Sequence, residues 1–205
     1  MEIQIGRGKT ARRAYGIDEI ALVPGPRTLD PSLVDTRWTV GGIEREIPII
    51  ASAMDGVVDV TMAVALSQMG ALGVLNLEGI QTRYDNPDPI LDQIASVGPG
   101  EFVSLMQKLY AEPIKPELIQ RRIQQIKQQG GIAAVSATPA AALKVGHTVA
   151  QAGADLFFVQ ATVVSTAHLS PQTIAPLNLA DFCQEMPIPV ILGNCVTYDV
   201  TLNLM

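Results

Sequence analysis

The chain has 205 residues, 48% of them hydrophobic and 17% charged, with a formal net charge of -6. That length supports one α/β domain with a real core, and the balance excludes a disordered chain. The acidic charge argues against broad binding to nucleic acid or anionic membranes. Small phosphorylated ligands stay open, because backbone N–H groups hold a phosphate without net positive charge.

Met1 to Arg13 carries Arg7, Lys9, Arg12 and Arg13 and reads as a solvated, flexible arm rather than a specific anion site. It lacks a signal-peptide apolar core, and no apolar run reaches the roughly 20 residues of a membrane span. A cytoplasmic protein without membrane or nucleic-acid partners is expected. Asp18 to Val23, followed by Pro24-Gly25-Pro26, predicts a short buried segment and a turn. Pro31 to Asp35 predicts a brief helical turn. Arg37 to Ile47, with Gly41-Gly42 at its middle, predicts a hairpin that closes one end of a larger set of strands.

Ile47 to Asp59 reads Ile-Pro-Ile-Ile-Ala-Ser-Ala-Met-Asp-Gly-Val-Val-Asp. Its apolar run predicts a strand buried on both faces. Asp59 is placed to cap a helix over Val60 to Met69. Ser52, Met54 and Asp55 then fall just past the carboxyl end of a parallel strand, where α/β folds bind ligands.

The same plan repeats. Gly70 to Asn76 predicts a second strand, with Gly70 as the preceding helix's C-cap. The stretch from Gln81 to Pro116 is less regular, with short helices over Pro89–Ser96 and Glu101–Tyr110. Leu118, Ile119, Ile123 and Ile126 share one face of a helix over Glu117–Gln129. Ile132 to Ser136 is a third strand, and Pro139 opens a helix through Ala152. Ala154 to Gln160 is a fourth strand. A loop from Ala161 to Ser170 carries Thr162, Ser165, Thr166 and His168. Leu177 to Glu185 is a helix, Ile188 to Asn194 a fifth strand, and Val200 to Met205 begins another helix.

Five strand–helix repeats predict a parallel sheet, either doubly wound or part of a (β/α)8 barrel. Polar residues recur at the strand ends: Ser52, Asn76, Ser136, Gln160 and Asn194. That ring of polar tips favours a (β/α)8 TIM barrel, here incomplete after five βα units. The expected division is an arm and hairpin over 1–46 and barrel over 47–205. Cys183 and Cys195 are spaced unlike a metal site and read as two free thiols, so no metal is assigned.

Four stretches resemble the IMP dehydrogenase/GMP reductase family. Asp18-Glu19-Ile20-Ala21-Leu22-Val23-Pro24 is similar to its entry segment. Ile47 to Asp55 is similar to its first barrel strand and loop. Gly70 to Asn76 matches its Gly-Gly-Ile-Gly-Val-Ile-His strand, and Gly193-Asn194-Cys195-Val196-Thr197 its Gly-Asn-Val-Val-Thr segment. Their order across most of the chain carries the family resemblance, which is nearest to the short, IMP-dehydrogenase-related branch lacking the regulatory domain pair.

The resemblance implies a (β/α)8 barrel acting on the purine 2-position of a bound nucleotide, IMP or GMP. In that family a cysteine thiolate attacks the carbon, and hydride passes to NAD or from NADPH. It implies that Ser52, Met54 and Asp55 bind the nucleotide, a hydroxyl beside a polarizable thioether. Gln160, Thr162 and Asn194 fall on the dinucleotide side. A homotetramer and a potassium site also follow from the family alone.

The chain departs from the family pattern in three places. Gln160-Ala161-Thr162 stands where the family has an acid and two serines. The Gln81 to Pro116 stretch is too short for the paired regulatory domains of many members. The family nucleophile, phosphate loops and cation site fall past Met205. Cys195 occupies an apolar position of the motif and Cys183 reads as a core residue. No catalytic residue is therefore assigned, and the chain alone is expected to be inactive. IMP dehydrogenase is the leading activity, with GMP reductase and a non-catalytic nucleotide-binding half-barrel as alternatives.

Overall fold

The computed structural model describes residues 2–164, 167–168 and 177–205. Ser165, Thr166 and Ser170 of the expected loop lie outside the described residues. The chain forms two compact units, Met1–Asp35 and Thr36–Met205.

The smaller unit opens with two antiparallel strands, β1 (Glu2–Gly6) and β2 (Lys9–Arg12), pairing Ile3 with Ala11 and Gln4 with Thr10. The basic arm is thus solvated but formed into a hairpin. Alternating Ile3 and Ile5 supply the strand pattern, and Gly8, at φ +67°, supplies the turn. Short 3-10 turns follow at Ile17–Glu19 and Pro31–Leu33. The buried segment expected at Asp18–Val23 is corrected: Ile20 is 62% exposed and Val23 89%. After the 3-10 turn ends at Glu19, residues 20–23 form no strand or helix, and Pro24-Gly25-Pro26 keeps one from forming beyond them.

The larger unit begins with the predicted hairpin, β3 (Trp38–Val40) and β4 (Ile43–Arg45), turning through Gly41 and Gly42 at φ +55° and +81°. Then come β5 (Ile50–Ala51), α1 (Val60–Gln68), β6 (Leu72–Asn76), α2 (Asp88–Ser96), α3 (Phe102–Tyr110) and α4 (Pro116–Gln128). They are followed by β7 (Ala134–Ala137), α5 (Pro139–Gln151) and β8 (Leu156–Gln160). Two short antiparallel strands, β9 (Ala167–His168) and β10 (Leu177–Asn178), precede α6 (Leu179–Glu185), β11 (Val190–Gly193) and α7 (Tyr198–Leu204).

Local chemistry sets these boundaries. Asp59 accepts the Met62 amide at 2.6 Å and caps α1, as its position predicts. Gly70, at φ +82°, ends the same helix. α4 buries Leu118, Ile119, Ile123 and Ile126 on its predicted face.

β5, β6, β7, β8 and β11 form one parallel sheet in that spatial order. Strands added in one direction, with every crossover of one hand, keep the helices on one side. A doubly wound sheet would reverse its strand order, so the sheet is an incomplete (β/α)8 barrel. Alternation along each strand divides the core. Leu75, Val135, Phe157 and Val159 face the helices, where Phe157 meets Phe182 edge-on at 6.0 Å. Leu72, Val74, Ala134 and Leu156 face the other side, with Val40 and Ile43 of the hairpin packed against them. The hairpin thus packs on the face away from the helices, with Gly41 against Leu156 and Pro189 at the amino ends of the strands.

The strand expected to be buried on both faces is corrected. Ile49 is 56% exposed and Ile50 41%, and only Ile50 and Ala51 pair with β6. β5 is an edge of the sheet among the described residues, so one side of it meets no neighbour. Among the described residues no helix is long and apolar enough to cross a membrane.

Candidate functional site

Period-two alternation carries the concave face through Leu72, Val74 and Asn76 on β6, Ala134 and Ser136 on β7, and Leu156, Phe158 and Gln160 on β8. Each strand is apolar within the sheet and polar at its carboxyl end. The polar ends converge on a cleft of about 650 Å³, whose walls include Asn76, Ser136, Gln160, Thr162 and Asn194. A second hollow of about 290 Å³ shares Ala53, Gln160 and Asn194 with it and adds Ser52. Four of the six residues singled out from sequence, Ser52, Gln160, Thr162 and Asn194, thus stand around one continuous rim.

Met54 and Asp55 face elsewhere. They line a third cavity of about 750 Å³, with Met62, Leu91, Phe102 and Met106 as apolar walls. The Asp55 carboxylate accepts from the Tyr110 hydroxyl at 2.5 Å, the Ile80 amide at 2.8 Å and the Asn76 side-chain amide at 3.4 Å. Asn76 accepts the Glu78 amide at 3.0 Å, which fixes which face of its carboxamide is free.

The far side of the rim is stitched by backbone. The Ala161 amide donates to the Gly193 carbonyl at 2.8 Å, and the Asn194 amide to the Ala161 carbonyl at 2.9 Å. The Val164 amide donates to the Asn194 carbonyl at 2.9 Å. Gln160, Thr162 and Asn194 are held together by these bonds although they stand at the ends of two different strands, β8 and β11.

Sequence reasoning missed two contributors to the cleft, Arg83 and Tyr110, and left Glu78, which falls with Asn76 at the carboxyl end of its strand, without a role. Arg83 donates to the carbonyls of Glu78, Tyr110 and Glu112, and its guanidinium lies 5.2 Å from the Tyr110 ring centre. Burial, then the bond to Asp55, pushes the Tyr110 phenol well above its ordinary range, and Arg83 opposes that shift. Only the proximity of Arg83 to a predicted strand end could have signalled it. Its partners Tyr110 and Glu112 stand at and just past the end of α3, the second helix after it in the chain.

Neutral amides and hydroxyls dominate this rim, a donor and acceptor set suited to ribose hydroxyls and a carboxamide. The volume suits a nucleotide fragment. The amino terminus of α5, otherwise an anion site, already holds the Glu78 carboxylate, 2.5 Å from the Thr138 amide. A phosphate is therefore not expected at that helix. Cys195 is exposed beside the rim, and Cys183 lies half-buried on α6 with its thiol pushed up by burial. A raised thiol supplies little thiolate.

The sequence profile described as IMP dehydrogenase / GMP reductase domain matches residues 14–205. The chain is 33% identical over 208 aligned residues to an uncharacterized oxidoreductase of Mycolicibacterium smegmatis, covering 99% of this chain and 55% of that protein. An inosine-5'-monophosphate dehydrogenase of Methanocaldococcus jannaschii is 28% identical over 109 residues, covering 47% of this chain and 22% of that one. The crystal structure of an IMP dehydrogenase/GMP reductase-like protein from Corynebacterium glutamicum superposes with a TM-score of 0.91 at 29% identity, over 100% of this chain and 54% of that one. The chain spans about half the length of the relatives it matches along its whole extent. With parallel strands in barrel order and polar tips on one rim, these likenesses agree: the chain belongs to the IMP dehydrogenase/GMP reductase family.

Proposed function

We propose that the protein is a purine-nucleotide oxidoreductase of the IMP dehydrogenase type. The reaction moves hydride between the purine 2-position and NAD or NADP, the chemistry a bound nicotinamide supplies. The carrying observation is the single rim that Ser52, Asn76, Ser136, Gln160 and Asn194 share above an apolar barrel interior. Ser52 serves the purine nucleotide at the rim, while Met54 and Asp55, in the same loop but on the neighbouring cavity, serve it by setting that loop. Gln160, Thr162 and Asn194 serve the dinucleotide, whose ribose and carboxamide suit an amide and hydroxyl set. Gln160 in place of a carboxylate keeps an acceptor there but removes its charge.

A homotetramer and a potassium requirement are part of the same proposal and follow from the family, and a cytoplasmic location, expected from the sequence, belongs to it too. No residue of this chain is assigned to potassium or to the nucleophile.

Nicotinamide absorbance with the purified protein tests the activity. IMP with NAD giving a rise supports the dehydrogenase. GMP with NADPH giving a fall identifies the reductase instead. No change with either pair, while IMP still binds by calorimetry, leaves a nucleotide-binding half-barrel. Ser52→Ala and Met54→Ala should each weaken IMP binding in a protein that stays folded. An unchanged dissociation constant for both removes the pocket assignment.

A further inference from the structure

We infer that Asp55 is a positioning residue, which through Tyr110 and Asn76 ties the geometry of the cleft to the end of α3. This deepens the proposed function and rests on the reading of the cleft as a nucleotide site.

The Asp55 carboxylate faces three elements at once. It meets the Tyr110 hydroxyl from the end of α3, the Ile80 amide from the turn after β6, and the Asn76 amide at the tip of β6. Gly79 makes this approach possible, because a Cβ there would lie 1.8 Å from an Asp55 carboxylate oxygen. With its oxygens used inside the protein, and its side chain on a different cavity from Gln160 and Asn194, Asp55 acts through its neighbours.

The other end of the link is anchored as firmly. The last carbonyls of α3 lack partners within the helix. Arg83 donates to Tyr110 and Glu112, and the Tyr84 hydroxyl donates to the Leu109 carbonyl at 3.0 Å. A cation at a helix carboxyl end also complements the helix dipole. Tyr110 is thereby set in place, and its hydroxyl delivers that placement to Asp55. Met54 precedes Asp55, so the nucleotide loop and the Asn76 tip answer to one hydrogen bond.

The test compares Tyr110→Phe, Asp55→Asn and their double variant by calorimetric IMP titration. Heteronuclear NMR follows the Asn76 side-chain amide in the protein without nucleotide. Tyr110→Phe should raise the IMP dissociation constant about fivefold, the net worth of one hydrogen bond. The double variant should bind no more weakly than Asp55→Asn alone, since both act through one link. The Asn76 amide signal should shift in Tyr110→Phe. A loss of affinity in Asp55→Asn with none in Tyr110→Phe would make Asp55 a direct ligand contact and overturn the inference. Additive losses also overturn it. If Ser52→Ala leaves IMP affinity unchanged, the nucleotide reading falls, and the Asn76 signal decides alone. A shift then sustains the link, and an unmoved signal refutes it. Tyr110→Phe removes one oxygen from a half-buried ring, so it reports even if Asp55→Asn fails to fold.

Discussion

Glu78 joins two neighbouring strand ends by capping a helix that is not its own. It follows β6, and its carboxylate accepts both the amide of Thr138 at 2.5 Å and its hydroxyl at 3.2 Å. Thr138 is the N-cap of α5 but makes no side-chain cap bond itself. The capping therefore comes from across the rim. Glu78→Ala should destabilise the protein by about 1 kcal/mol, the usual worth of a lost cap with its favourable dipole term. Glu78→Gln keeps an acceptor and should lose about half of that. Urea midpoints with an unchanged slope would report the effect as stability alone.

Lys127 and Asp155 lie 2.6 Å apart between α4 and the start of β8, with side chains 40% and 28% exposed. Their contributions should be unequal. Asp155 also accepts the Ala133 amide at 2.8 Å, fixing the entry to β7. Lys127→Ala should cost less than about 1 kcal/mol, as exposed pairs do. Asp155→Ala should cost more, because it strips a backbone donor as well. Equal losses in denaturant titration would contradict this account, and high salt should erase most of the Lys127 effect but only part of the Asp155 effect.

The readable part of this fold is the part built from neighbours in sequence. Leu72-Gly73-Val74-Leu75-Asn76 shows its strand and its polar tip directly, and Asp59 and Gly70 bracket α1 by local capping chemistry. Ser52, Gln160 and Asn194 were legible as strand ends, and a parallel sheet puts all such ends on one rim. The Asp55–Tyr110 bond was not legible: its partners are 55 residues apart and belong to segments without shared periodicity. Arg83 was invisible for a related reason, since carbonyl partners leave no residue-type signature. The exposure of Ile20 and Val23 was missed because apolar composition signals a wish for burial but not whether a covering surface exists.

Cys183 and Cys195 should separate cleanly under alkylation. Cys195 is exposed, whereas Cys183 sits half-buried on α6 with burial raising its thiol. Iodoacetamide at pH 8 should label Cys195 at least about tenfold faster, read by peptide mass spectrometry, since the thiolate is the reacting species. The same shift carries a pH signature. Below the ordinary thiol range both folded and unfolded Cys183 keep the proton, and its contribution is fully present. As pH rises through that range the unfolded thiol loses its proton first. The folded state then binds more protons, so stability falls with rising pH. Cys183→Ala should remove that part of the alkaline slope in denaturation at stepped pH, and a slope unchanged by the substitution would refute it.

Arg122 holds the turn after β6 to α4 from within the protein. Only 5% exposed, it donates to the carbonyls of Gln81 at 2.9 Å, Tyr84 at 3.1 Å and Asp85 at 2.9 Å, and to the Gln125 side chain at 3.0 Å. A planar fork of fixed donors suits several acceptors at set angles, which the single ammonium of lysine does not. Arg122→Ala should leave the buried Gln81 carbonyl and the half-buried Tyr84 carbonyl without this donor and cost about 2–4 kcal/mol. Arg122→Lys should recover only part of that loss, despite keeping the charge. Because Tyr84 also holds the end of α3, hydrogen exchange should quicken along Phe102–Tyr110 in Arg122→Ala, beyond what the global loss of stability explains. If Lys restored full stability, charge alone would hold the turn, and the fork geometry would carry no weight.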